Sequence, residues 1–92
     1  MRLDQFLRAS RIVLRRTVAQ ELCDAGAVAV NGAAARSSRA VRAGDVIELR
    51  RRDRLTTVRV LEVPPARNVS KAEAAALYET IRDERAGDDD PS

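Results

Sequence analysis

The first thirty-two residues constrain this chain more than any other stretch, because two short amphipathic segments lead directly into an alternating apolar run and an Asn-Gly pair. Leu3, Phe6 and Leu7 recur at the i, i+3, i+4 spacing that lines one face of a helix, while Arg2, Gln5 and Arg8 fall off that face. Val18, Leu22 and Ala25 repeat the pattern and predict a second helix. Gly26 follows where a helix end wants left-handed backbone, which a residue without a Cβ adopts at little cost. Val28 and Val30 then alternate with Ala27 and Ala29, a short strand with one apolar face. It closes on Asn31-Gly32, a dipeptide suited to a tight turn. Arg11, Arg15 and Arg16 surround the joint between the helices, so with Arg2 and Arg8 the pair presents five arginines. Such a surface suits an anion.

The remaining chain is strand-rich. A brief strand is expected near Ala34–Arg36, followed by a small, basic loop to Arg42. Ala43-Gly44-Asp45 marks a second turn, and Val46–Arg50 alternates with Ile47 and Leu49 on one face. Arg51–Arg54 reads as a hairpin tip and Thr56–Val63 as the return strand, with Val58 and Val60 as core contacts. Pro64-Pro65 ends the sheet, since neither residue can donate to a ladder. Ser70 with Glu73 matches a capping box, and Ala74, Leu77, Tyr78 and Ile81 continue at helical spacing. A third helix is therefore predicted to run to about Arg85, with residues 86–92 a disordered acidic tail. The fold class is α+β: two N-terminal helices on a small, mainly antiparallel sheet, plus a C-terminal helix. The expected organisation is a domain over residues 1–63, a linker and helix over 64–85, and the tail over 86–92.

Charge is divided along the chain. Residues 1–60 hold thirteen arginines against six acids, whereas residues 61–92 hold four basic residues against eight acids. A basic body points to nucleic acid, and an acidic end to solvation. A chain of 92 residues forms one modest core. With Phe6 and Tyr78 as the only aromatics, that core is aliphatic. The scarcity of aromatics also disfavours single-strand binding by base stacking and favours structured RNA read by shape and backbone. No apolar run approaches the roughly 20 residues of a membrane span. The charged, amphipathic start is not that of a secretory signal. Cys23, the lone cysteine, reads as a small buried hydrophobe and fits a reducing cytoplasm. There is no histidine, no metal-ligand spacing, no phosphate-cradling glycine loop and no nucleophile with an evident base, so no cofactor or metal is expected and an enzyme is disfavoured.

Five short signatures, in order, carry a family resemblance: Arg2-Leu3-Asp4-x-Phe6-Leu7, Ser10-Arg11, Arg15-Arg16-Thr17-x-Ala19, Gly26-x-Val28-x-Val30-Asn31-Gly32 and Gly44-Asp45-Val46-Ile47. Over about residues 2–60 the chain resembles the S4, or αL, RNA-binding domain. The segment Ala72–Glu79 resembles the helix after that domain in the RqcP ribosome quality-control family and in the small heat-shock S4 family. The heat-shock family continues into a long basic extension, whereas this chain ends in acids, which favours the RqcP likeness. The resemblance implies a non-catalytic, cytoplasmic, monomeric protein that binds large-subunit rRNA and peptidyl-tRNA on the 50S subunit during rescue of stalled ribosomes. It further implies a tail-adding quality-control factor as a partner, with alanine added to the stalled chain.

By the same resemblance, Arg2, Asp4 and Arg16 are the positions that matter most. The basic-face argument adds Arg8, Arg11 and Arg15. Arg36, Ser38 and Arg39, in a loop with little to bury, suit phosphate or sugar contacts. Asp4 near phosphate is unfavourable unless it orients an arginine or caps the first helix. At the Arg50–Arg54 tip, charges serve solubility and block edge pairing as well as they serve RNA. Three alternatives stand beside the main reading. One is a general ribosome-binding protein of the heat-shock type, without a tailing role. Another is a DNA-binding regulator, against which the Ser10–Leu14 joint lacks the usual glycine-bearing turn. The last is a protein-interaction adaptor using the Ala74–Ile81 helix.

Overall fold

The structure, a computed structural model, describes residues 1–65 and 69–85. Helix α1 spans Leu3–Ala9 and α2 spans Arg16–Asp24. Strands β1 (Val28–Val30), β2 (Ala33–Ala34), β3 (Val46–Arg51) and β4 (Arg54–Val60) follow. A single-turn helix α3 (Lys71–Ala75) then leads into β5 (Tyr78–Arg85). All five strands form one antiparallel sheet in the order β2-β1-β3-β4-β5.

The local chemistry explains most of these boundaries. Helix α2 stops because Ala25 remains right-handed while Gly26 turns to φ +77°, letting Gly26 N–H reach the Cys23 carbonyl and Ala27 N–H the Leu22 carbonyl. Asn31 and Gly32, both at positive φ, close the β1–β2 hairpin between the partners Val30 and Ala33. Asn31 also ties this turn to the next one: its amide donates to Asp45 Oδ1 and its Oδ1 accepts from Val46 N–H.

The core lies between the helix pair and one face of the sheet. Leu3, Phe6, Leu7, Ala19 and Cys23 pack against Val28, Val30, Ile47, Leu49, Val58 and Val60. In α2 the buried stripe is Ala19 and Cys23, with Val18 and Leu22 on its flanks and Ala25 exposed. This corrects the expected Val18–Leu22–Ala25 stripe. Small side chains at the contact let α2 approach closely, and the larger residues cover the edges of the seam. Cys23 is buried, as expected.

The predicted third helix is the larger correction. The capping box forms as expected: Glu73 N–H donates to the Ser70 hydroxyl, and the Glu73 carboxylate accepts from Ser70 N–H. The helix nevertheless ends at Ala75, and Tyr78–Arg85 is a strand along β4. Strand β4 itself ends at Val60, short of the expected Val63 and of Pro64-Pro65, and the sheet continues beyond the prolines in β5. Without β5, the backbone groups of β4 would form an open edge beside the buried Val58 and Val60, and satisfying that edge outweighs the helical spacing of Leu77 and Ile81. Ile81 lies at the register shift where β5 slips past Thr57 and Val58, and it remains 48% exposed. The helical face Ala74–Ile81 invoked for an adaptor does not form. The expected tail, residues 86–92, lies outside the described residues.

Candidate nucleic-acid interface

Asp4 organises the basic surface. It has no solvent exposure, yet no carboxylate in a core this apolar can go unpartnered without a large desolvation cost. Four donors converge on it. Oδ1 accepts from Arg2 Nε at 3.2 Å and from the Gln5 backbone N–H at 2.8 Å. Oδ2 accepts from Arg16 Nε at 3.1 Å and from Gln20 Nε2 at 2.9 Å. The acceptor capacity of a carboxylate is thereby filled. Burial pushes the Asp4 carboxyl up, but the hydrogen bonds from Gln20 and Arg16 and the charges of Arg16 and Arg2 outweigh it and hold the group below its ordinary range.

Both arginines contact Asp4 through Nε. Each spends one of its five N–H donors inward and keeps the terminal fork for another acceptor. Their side chains are 44% and 40% exposed, enough to present that fork to a ligand. Asp4 does not reach the surface itself, so its contribution is to fix two guanidinium groups from different helices in one orientation. The capping alternative is half realised: Arg2 occupies the helix cap, while Asp4, two residues on, satisfies one orphan N–H of the first turn.

The loop after β2 joins this site through its backbone. The Arg39 carbonyl accepts from Leu3 N–H at 2.8 Å and the Ser37 carbonyl from Asp4 N–H at 3.1 Å. The first turn of α1 thus has its free donors covered by the loop, and exposed Arg36, Ser38 and Arg39 are carried to the Arg2 end of the helix. Arg15 and Arg16 open α2, where the helix dipole disfavours cations and no side chain caps the end. Asp4 supplies the counter-charge for Arg16, and Arg15 remains exposed.

The five helix-pair arginines do not form a single cluster. Arg8 lies in the last turn of α1, about 9 Å along the axis from Arg2. Arg11 follows in left-handed backbone at φ +62° and sends Nη2 to the Val69 carbonyl at 3.3 Å. The arrangement brings together Arg2, Arg16, Asp4 and the Arg36–Arg39 loop, with Arg15 alongside, and leaves Arg8 and Arg11 at the far end. Gln20 was missed in the sequence, although its i, i+4 spacing from Arg16 puts the two on one helix face.

A family model described as S4 domain matches residues 1–47, the stretch that contains this whole arrangement. A Streptococcus pneumoniae protein named RQC P-site tRNA stabilizing factor is 44% identical over 85 residues, covering 92% of this chain and 94% of that protein. The chain belongs to this S4-domain family. The Bacillus subtilis member of the same name is 40% identical over 88 residues, covering 96% of this chain and 100% of its own. Among solved structures, the trimeric heat shock protein 15 of Vibrio cholerae superposes with a TM-score of 0.78 at 31% identity, over 87% of this chain and 80% of that one. Both families named in the sequence resemblance therefore recur, one among sequences and the other among folds.

Proposed function

We propose that this protein binds the large ribosomal subunit and stabilises P-site tRNA in ribosome-associated quality control, without catalysing a reaction. The observation that carries the reading is the buried Asp4, which aims the guanidinium forks of Arg2 and Arg16 outward from two helices. A carboxylate committed in this way has little purpose in an ordinary solvated face. It makes sense where two arginines must meet phosphates at fixed positions. The relatives' name, over nearly the whole chain, supplies the P-site tRNA. Contacts to rRNA and tRNA backbone are assigned to Arg2, Arg15 and Arg16 with Arg36, Ser38 and Arg39, with Asp4 and Gln20 as positioning residues. Arg8 and Arg11 make a separate contact at the other end of α1. The 50S subunit, peptidyl-tRNA and a tail-adding factor are the proposed partners, with the monomer acting in the cytoplasm. Among the described residues, no helix is long and apolar enough to cross a membrane.

The second reading, general ribosome binding of the heat-shock type, is favoured by the likeness to heat shock protein 15. Co-sedimentation separates the two, using empty 50S subunits, 50S subunits bearing peptidyl-tRNA, and 70S ribosomes, with wild type and Arg2→Ala/Arg16→Ala. Preference for the tRNA-bearing 50S particle, lost in the double variant, is the expected outcome. Equal binding to all three particles would leave the general reading, and no binding would end the ribosomal one.

A further inference from the structure

The β3–β4 hairpin reaches beyond the residues matched by the S4 family. Its tip concentrates arginine in a way that folding alone does not favour. Arg51 is the cross-strand partner of Arg54. Directly opposed residues of an antiparallel pair share a face, and like charges in that relation repel. Arg54 is neutralised by a bidentate contact to Asp83: Nε to Oδ1 at 2.8 Å and Nη2 to Oδ2 at 2.6 Å. The Thr56 hydroxyl donates to the same Oδ1 at 3.4 Å, so Asp83 is held in place and Arg54 keeps Nη1 for another acceptor. Among the described residues, neither Arg51 nor Arg52 has an ion-pair partner.

The turn itself adds a second cost. Arg52 has φ +51°, a left-handed conformation that side chains other than Asn and Asp resist. The chain places Asn-Gly in the turn between β1 and β2, so suitable turn chemistry is in use one hairpin earlier but not here. Strained backbone that carries an exposed functional group is characteristic of binding sites. Next to the tip lies a shallow depression, lined in part by Arg51, Arg54, Thr56, Thr80, Tyr78 and Ile12 of the α1–α2 joint. Asp83 also lines it, its charge met by Arg54, so the guanidinium groups and the hydroxyls of Thr56, Thr80 and Tyr78 are left to suit a sugar–phosphate backbone.

We propose that Arg51, Arg52 and Arg54 form a second binding site for the phosphate backbone of structured RNA, separate from the face organised by Asp4. The site rests on the ribosomal reading and adds a second anchor to it. Two separated phosphate contacts resist rotation about either one, so the domain binds in a single orientation.

The test uses the full chain, comparing wild type, Arg51→Ala/Arg52→Gly and Arg2→Ala/Arg16→Ala. Affinity for purified tRNA-bearing large subunits is measured across a salt series, with melting temperatures in parallel. Arg52→Gly removes a charge and relieves the turn, so the hairpin variant is expected to melt at or above the wild-type temperature. It should bind on the order of ten-fold more weakly, with a salt slope shallower by about one per arginine removed. Wild-type affinity and slope in the hairpin variant, with loss in the helix-pair variant, would overturn the second site and leave the ribosomal reading intact. Unchanged binding in both variants would overturn both. Weaker binding together with a lower melting temperature would assign the tip a folding role and overturn the proposal. Anisotropy with a synthetic RNA duplex and an acidic peptide completes the test, because loss confined to the peptide would mark a protein-binding tip instead.

Discussion

Replacing Asp4 by Asn tests the centre of the proposed interface with almost no change in shape. The amide keeps one acceptor oxygen and puts an NH2 where the other oxygen was. Two of the four donors then face a donor, and whichever way the amide turns, one arginine Nε is among them. Two hydrogen bonds to a charged acceptor are lost, each of about 1.5 kcal/mol, and the other two, one of them still from an arginine, now go to a neutral acceptor. Arg2 and Arg16 are 44% and 40% exposed and can turn to water, which spares the penalty of stranding them. A net loss of about 2–3 kcal/mol follows. For a domain of this size that corresponds to a fall in Tm on the order of 10–20 °C.

The pH dependence gives the sharper check. Asp4 is held below its ordinary value of 3.8, so its contribution is fully present above that pH and is lost as pH falls through the depressed folded value. Urea melts of wild type and Asp4→Asn should therefore differ by a constant amount from about pH 5 to pH 8 and converge at lower pH. A difference under about 0.5 kcal/mol at neutral pH, or a gap that persists undiminished to about pH 2, would refute the reasoning. The same variant should weaken ribosome binding even at temperatures where it remains folded, since its arginines lose their aim.

Further predictions concern the core and the last strand. Burial, reinforced by the negative charges of Asp4 and Asp24, pushes the Cys23 thiol up to about 11. Its alkylation near pH 8 should be about a hundred-fold slower than that of a thiol at its ordinary value of 9.0, and should reach the ordinary rate in urea; fast labelling of the folded protein would contradict the packing. Ending the chain after Leu77 removes β5 and opens β4 beside Val58 and Val60. Each of these valines contributes roughly 1.5–3 kcal/mol by burial, against a total stability of about 5–15 kcal/mol, so the shortened chain should fail to give a cooperative melt. An intact melt from that chain would mean that the segment is a detachable appendage.

Much of the architecture was legible because it rests on local chemistry. Asn31-Gly32 and Gly26 mark backbone that few other residues adopt, and the spacing of Leu3, Phe6 and Leu7 puts them on one helix face wherever that helix packs. Of the candidate site, the residue types were legible, since the basic body and the S4-like signatures pointed to the helix pair and to Arg2, Asp4 and Arg16, which the fold brings together. Its internal geometry was not. Asp4 receives donors from α1 and α2, and the Arg36–Arg39 loop is brought to α1 by backbone hydrogen bonds between distant positions. No pattern within one element encodes such convergence.

The last segment shows where the division falls. Ala74, Leu77, Tyr78 and Ile81 satisfy a helical period, yet Tyr, Thr and Ile are also strand formers, so local preference left two structures close in free energy. Sequence alone determined that a capped helix begins at Ser70, because both partners of the capping box lie within three residues of each other. Tertiary structure decided that it ends at Ala75, because the edge of β4 presents a row of unpaired backbone groups that only a neighbouring strand satisfies. A strand edge formed elsewhere in the chain is invisible to a window of local residues. Once the sheet exists, that edge outweighs the local preference.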